Sequence, residues 1–355
     1  MTQEITNLLS PYMLGNLQLK NRIVMAPMTR CRAIGNQPNE LMATYYGQRA
    51  EAGLIITEGV SPSPNGLGYA RIPGLYNQEQ ADGWKATTDA VHNKGGKIFI
   101  QLMHSGRIGH NANLPEGAHL VAPSAITAKG DMWTDTQGMQ PISAPKEIAE
   151  ADIKSLIEEY VNSARLAVAA GFDGVELHAA NGYLPMQFLS PSTNHRSDKY
   201  GGNAENRNRF VVELAEAVAG AIGEEKTGIR LSPFNPFNDI TPDEHEAAQY
   251  LTLAAALKNT GLTYVHFLTF TMKPEFIAEM KNAFGGVIIL NGGYTGERAA
   301  GDIAGGKCDL VSFGSMYVSN PDLVKRIATG AGLTPPDQST FYTADAKGYT
   351  DYPTL

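Results

Sequence analysis

The sequence predicts an α/β protein, a single (β/α)8 TIM barrel carrying a capping insertion after its third strand. Three observations predict it. Eight short runs rich in β-branched residues recur along the chain, and nearly all lead into a longer amphipathic stretch. Parallel strands joined by right-handed crossovers close naturally when there are eight of them. No Gly-x-Gly-x-x-Gly follows the first run, so the fingerprint of the rival open dinucleotide-binding sheet is missing.

The strand candidates, in order, are Arg22–Met28, Leu54–Val60, Lys97–His104, Asp173–Ala179, Gly228–Pro233, Tyr264–Phe270, Val287–Gly292 and Leu310–Ser315. The helical patterns are Asn39–Ala52, Gln78–Lys94, Glu150–Ala170, Ala204–Ile222, Pro242–Asn259, Pro274–Ala283, Gly296–Gly305 and Asn320–Gly330. Thr241 before Pro242 reads as an N-cap with proline in the first turn, and Gly171 and Gly261 read as stops. Residues 105–147 lack a helical period and are expected to cap the barrel mouth. Residues 331–355 form an irregular tail, and residues 1–355 make one domain.

The bulk numbers suit this fold. The chain has 355 residues, 43% hydrophobic and 18% charged, enough for a sizeable core. A formal net charge of -8 argues against nucleic acid and against anionic membrane surfaces. Two cysteines, Cys31 and Cys308, imply no disulfide framework and fit a reducing compartment. No signal peptide or bilayer-length apolar run is read, so a cytoplasmic location is expected.

In such a barrel, chemistry collects at the C-terminal ends of the strands. Those ends are polar here: Thr29-Arg30, Thr57-Glu58, Gln101 with His104, Glu176 with His178 and Asn181, and Arg230. Any one of them reads equally as a satisfied rim residue. Together they point to a polar ligand, because burying Gln, His and Arg is costly without partners. Gly292 and Gly293, with Gly314 and Ser315, match the phosphate site of many barrels, where backbone N–H groups cradle the anion. Tight turns are the plainer reading of the glycines. No metal-binding or Gly-x-Ser-x-Gly motif occurs, and Cys31 reads as structural.

Several long segments go further. Asn21–Arg30, Gln101–Arg107, His178–Leu184, Asn194–Gly202, Glu205–Phe210 and Gly348–Pro353 together resemble the Old Yellow Enzyme family of FMN-dependent ene-reductases. Thr29 instead of Cys is similar to the N-ethylmaleimide reductase-like branch. The resemblance implies FMN across the barrel mouth, NADPH or NADH as reductant, and hydride and proton addition to an activated alkene: an enone, enal, maleimide or nitro compound. Gln101 would meet the pyrimidine edge of the flavin. Arg230, permanently charged, would favour the reduced ring. Thr29 would donate to O4, while Pro27, Met28 and Gly59 line the ring. His178 and Asn181 would hold the substrate oxygen and Tyr183 would supply the proton. Tyr69, Met103 and Tyr342 would line the substrate pocket.

Three departures from the family pattern bear on function. Ser315 stands where an arginine usually grips the FMN phosphate, so weaker FMN retention is expected. Met103 replaces a common tryptophan, implying a roomier wall. Gly59 replaces an alanine, with little change expected. Two rival functions remain at this point: a flavin-binding barrel without turnover, and a phosphate-binding lyase or isomerase. The second would want a strand-end lysine for a Schiff base, and no candidate strand ends in one. The expected partner is a small-molecule substrate, on a monomer or homodimer.

Overall fold

Eight parallel strands close into a barrel in the order the chain visits them. They are Ile23–Met25, Leu54–Val60, Ile98–Leu102, Gly174–Ala179, Thr227–Leu231, Tyr264–Leu268, Val287–Asn291 and Leu310–Phe313. The last pairs with the first through Val311 and Ile23, leaving no free edge. The computed structural model describes residues 3–355. Each predicted strand is present, though most are shorter than the apolar run that announced them.

Register fixes which side chains share the interior. Gln101 pairs with Glu176, His178 with Arg230, and Arg230 with His266. Below this polar layer the interior is apolar: Val24, Leu54, Ile56, Phe99, Tyr264, Ile289 and Leu310. Leu14 and Leu19 join them from an N-terminal hairpin, Tyr12–Leu14 with Leu17–Leu19, that closes the barrel bottom. Its short strands gave too little pattern to be read from the sequence; Gly15, at φ 56°, makes the turn.

Helices Glu40–Gln48, Gln78–His92, Ile153–Ala169, Ala204–Ile222, Glu246–Lys258, Pro274–Phe284 and Gly296–Ala304 pack outside. Asn39, Asn77, Asn203 and Thr295 cap four of them, each accepting a backbone N–H three residues on. Gly171 and Gly261 follow helix ends with φ of 93° and 71°, as expected. One expectation fails. Thr241 caps no helix: its N–H goes to Ser192 Oγ, and the helix starts at Glu246, whose carboxylate accepts from Phe234 N at 2.7 Å. The final helix is present as Leu323–Thr329, beginning just after Pro321, and a short unpredicted helix, Ser315–Ser319, precedes it.

Residues 105–147 contain an antiparallel hairpin, Asp131–Thr134 with Gly138–Pro141. The tail is held by two fully buried arginines. Arg30 Nη2 donates to Gly348 O at 2.7 Å, and Arg32 Nη2 donates to Thr340 O at 2.7 Å. Tyr349 stacks on Tyr45 with ring centres 4.0 Å apart. Among the described residues, no helix is long and apolar enough to cross a membrane.

Candidate active site

A cavity of about 1110 Å³ opens at the C-terminal ends of the strands. Pro27, Met28 and Thr29 reach it from the first strand, Gly59 from the second, and Gln101 and Met103 from the third. His178, Asn181 and Tyr183 come from the fourth, while Tyr69 and Tyr342 come from a loop and the tail. Tyr342 is 62% exposed, which puts it at the outer rim. The structure therefore gathers most of the sequence-predicted residues onto one cavity.

Under the cavity lies a polar network. Glu176, fully buried, accepts from Gln101 Nε2 at 2.8 Å and Tyr264 OH at 3.1 Å, and pairs with His266 Nδ1 at 2.8 Å. His266 Nε2 is 2.8 Å from Ser312 Oγ. Arg230 lies against the His266 ring and donates through Nη2 to Asn291 Oδ1 at 3.0 Å. Burial alone would raise the Glu176 pKa, but His266, Arg230 and Gln101 outweigh it and hold the carboxyl below its ordinary range. Burial, helped by Arg230, pushes His266 down to about 4 and His178 to about 3, so both rings are neutral near pH 7. Arg230 therefore keeps its charge beside an ionised Glu176 and neutral histidines.

Two buried nitrogens of this floor have no protein partner: Arg230 Nε and His178 Nδ1. Unpartnered buried polar atoms are costly and point to a ligand that satisfies them. Asn181 is set up in the same sense. It takes the left-handed conformation, φ 57°, which asparagine tolerates better than most residues. Ser232 Oγ accepts its N–H at 2.8 Å, and Asn238 Nδ2 donates to its carbonyl at 2.8 Å. Asn235 Nδ2 donates to its Oδ1 at 2.9 Å, leaving the amide N–H groups as the side chain's offering to the cavity. The Tyr183 ring stands edge-on to His178 at 5.0 Å, and its hydroxyl is 2.9 Å from that of Tyr69. Burial raises the Tyr183 pKa, opposed by hydrogen bonds from Tyr69 and Asn238.

The remaining predicted residues lie beside or below the cavity instead of on its wall. Arg230 is in the floor. Gly292 and Gly293 follow the seventh strand, Gly314 follows the eighth, and Ser315 opens a short helix where it is exposed. A Cβ on Gly314 would stand 3.7 Å from Met28 Sδ, so this turn borders the first-strand wall. At Gly59 the structure adds a packing contact: a Cβ there would lie 2.5 Å from Met103 Sδ and 3.0 Å from its Cβ, so an alanine would make the methionine shift. Sequence reading gave no role to His266, Asn291, Asn235, Asn238, Arg71 or Arg298. His266 carried a usable signal, a lone histidine in the otherwise apolar sixth strand. Arg298, which donates to Gly292 O at 3.0 Å, did not.

The floor fits a flat, heteroatom-edged ring. Gln101 offers both donor and acceptor chemistry, Arg230 offers fixed charge and a free N–H, and Gly59 offers bare backbone. Such a barrel, with polar donors and a phenol lining one cavity over that floor, fits the class of flavin oxidoreductases. The chain belongs to the NADH:flavin oxidoreductase / NADH oxidase family, whose profile matches residues 7–333. A probable flavin mononucleotide-dependent alkene reductase of Leishmania infantum is 40% identical over 99% of this chain and 98% of that protein. The 12-oxophytodienoate reductase 1 of Oryza sativa subsp. japonica is 41% identical over 98% of this chain and 93% of its own. Among solved structures, morphinone reductase in complex with tetrahydroNAD superposes with a TM-score of 0.95 at 44% identity, covering 98% of each chain. The Old Yellow Enzyme homologue from Zymomonas mobilis gives 0.94 at 40% identity, covering 98% of this chain and 100% of that one. The resemblance read from the sequence is thus borne out, and the barrel is of the Old Yellow Enzyme kind.

Proposed function

We propose that this chain is an FMN-dependent ene-reductase that reduces activated C=C bonds with NADH or NADPH, its residues taking the following roles. Gln101, Arg230 and Thr29 hold the ring of FMN, lined by Pro27, Met28 and Gly59. The amides of Gly292, Gly293 and Gly314 and the Ser315 hydroxyl hold its phosphate. When bound, FMN supplies the two-electron chemistry, accepting hydride from the nicotinamide and delivering it to the alkene β-carbon.

The chain's own work is positioning and proton supply. His178 and Asn181 donate to the carbonyl or nitro oxygen, where negative charge grows as hydride adds. Asn235 holds the side-chain amide of Asn181 and Asn238 its backbone carbonyl, so that the amide need not reorganise. Tyr183 holds its proton for the α-carbon, and its raised pKa keeps the phenol protonated until a strong base develops. Tyr69, hydrogen-bonded to it, stabilises the phenolate left behind. Met103, Tyr69 and Tyr342 shape the pocket, which residues 105–147 cap as part of one domain. The acidic charge and two buried free cysteines support a cytoplasmic enzyme, monomer or homodimer, that acts on small molecules without nucleic acid or membrane.

The observation that carries this reading is the convergence of His178, the oriented Asn181 amide and the Tyr183 hydroxyl on one cavity above buried Gln101 and Arg230. The test is optical and anaerobic. FMN-loaded protein should bleach with NADH or NADPH and regain its yellow colour on adding 2-cyclohexenone. Colour that bleaches and is restored by no enone, maleimide or nitro compound would leave a flavin carrier without turnover. A protein that takes up no FMN would end the proposal.

A further inference from the structure

Arg71 lies between the second barrel strand and the helix Gln78–His92, at the mouth of the cavity. Its backbone takes φ 55°, a left-handed conformation that non-glycine residues seldom adopt, and its carbonyl accepts from Ala33 N at 3.0 Å. The guanidinium meets three segments remote from one another in sequence. Nε donates to Cys31 O, in the loop after the first strand, at 3.0 Å. Nη2 donates to Tyr342 O, in the tail, at 2.9 Å. Nη1 pairs with the Asp135 carboxylate, in the turn of the Asp131–Pro141 hairpin. Trp133 Nε1 donates to the same Asp135 oxygen at 3.1 Å, so the hairpin's exposed tryptophan is held by the same anchor. Cys31, Asp135, Trp133 and Tyr342 all line the cavity.

We propose that Arg71 is a positioning residue: it fastens three walls of the mouth to one another and so sets the largest substrate the cavity admits. The size-selection half of this rests on the ene-reductase reading; the fastening does not. An arginine is needed because three acceptors in three directions match the fixed fork of a guanidinium, whereas an ammonium is a single point charge on a flexible stem. The contact to Cys31 O is part-buried and that to Tyr342 O is exposed, but both acceptors are neutral carbonyls. The contact to Asp135, whose side chain is 46% exposed, joins two opposite charges. The hairpin tie is therefore the salt-sensitive one of the three.

The test uses FMN-loaded full-length protein and the variants Arg71→Ala, Arg71→Lys and Asp135→Asn. Amide hydrogen exchange reads the fastening directly. Arg71→Ala should speed exchange about tenfold in both 131–141 and 338–344, and Asp135→Asn in 131–141 alone. Arg71→Lys should keep the hairpin protected and loosen only the tail. The second readout is the ratio of kcat/KM for 2-cyclohexenone to that for a steroidal enone. It should fall about fivefold in Arg71→Ala and Asp135→Asn, mainly through KM of the bulky substrate, within the range that pocket shape alone can discriminate. Raising salt from about 0.05 M to about 1 M should lower the ratio in the unaltered protein and leave it flat in Asp135→Asn. Unchanged exchange in Arg71→Ala overturns the fastening. Loosened segments with an unchanged ratio overturn the size selection. Should the unaltered protein reduce no enone at all, the ene-reductase reading fails while the exchange data still decide the fastening.

Discussion

Replacing Gly59 by alanine tests whether two departures from the family pattern are one event. The new Cβ would sit 2.5 Å from Met103 Sδ, 2.8 Å from Cε and 3.0 Å from Cβ. Comfortable separations are about 3.5–4.0 Å, so the overlap is about an ångström. The thioether end can rotate away, but Met103 Cβ is fixed by its strand end and cannot. Met103 is 1% exposed and packed with Leu67, Ile72 and Ile108, so any swing is directed into the cavity. Overpacking of this kind costs about 1–3 kcal/mol. The assay is a double-mutant cycle in urea at fixed FMN concentration, with Gly59→Ala, Met103→Ala and the pair. In the Met103→Ala background the alanine at 59 should be nearly free, giving a coupling of about 1–2 kcal/mol. Gly59→Ala alone should also raise KM for bulky enones more than for 2-cyclohexenone. Additivity within about 0.5 kcal/mol, with no change in substrate range, would refute the reasoning.

Three further outcomes follow from the site. Tyr183→Phe should lower enone turnover about 100-fold with little change in KM, because it removes a proton donor and keeps the ring; stopped-flow reoxidation of reduced protein checks it. Ser315→Arg should tighten FMN binding about tenfold, since position 315 is exposed and has room for a guanidinium; equal flavin retention on dialysis would count against it. Stability should fall between pH 6.5 and 5. His104, His178 and His266 are held neutral by burial, with pKa values pushed down to about 3, 3 and 4. The unfolded chain binds those protons and the folded chain does not, so each histidine costs about 2 kcal/mol over that window. Glu58, raised to about 7 by burial, works the other way, adding stability that is lost as pH rises through 7. Burial also raises Glu159 and Glu246, though less far, and the three histidines still leave the net slope positive below pH 6.5. A midpoint in urea that is flat or rises on acidification would contradict this balance.

Much of the barrel was legible in the sequence because a parallel strand buried on both faces must be a continuous apolar run, and eight such runs stand out. Cavity residues on strand ends were legible for the same reason: Gln101 and His178 interrupt apolar stretches. What the sequence hid was set by tertiary contact. Thr241 had the chemistry of a cap, yet its backbone found Ser192 instead. The crowding of Gly59 by Met103 shows only once the second and third strands lie side by side. Arg71 acts through residues remote from it in sequence, and no local pattern announces such a meeting.

The leucines of the N-terminal hairpin have a consequence for how the protein responds to its surroundings. They close the barrel from beneath, so the Glu176–His266–Arg230 network is separated from bulk water below by a layer of Leu14, Leu19, Phe99 and their neighbours. Above it, the ring of FMN held on this floor would complete the insulation. Protons from the medium then have no ready route to this trio, and its charges behave as a permanent fixture of the barrel. Acid–base changes in turnover near neutrality must originate outside this trio.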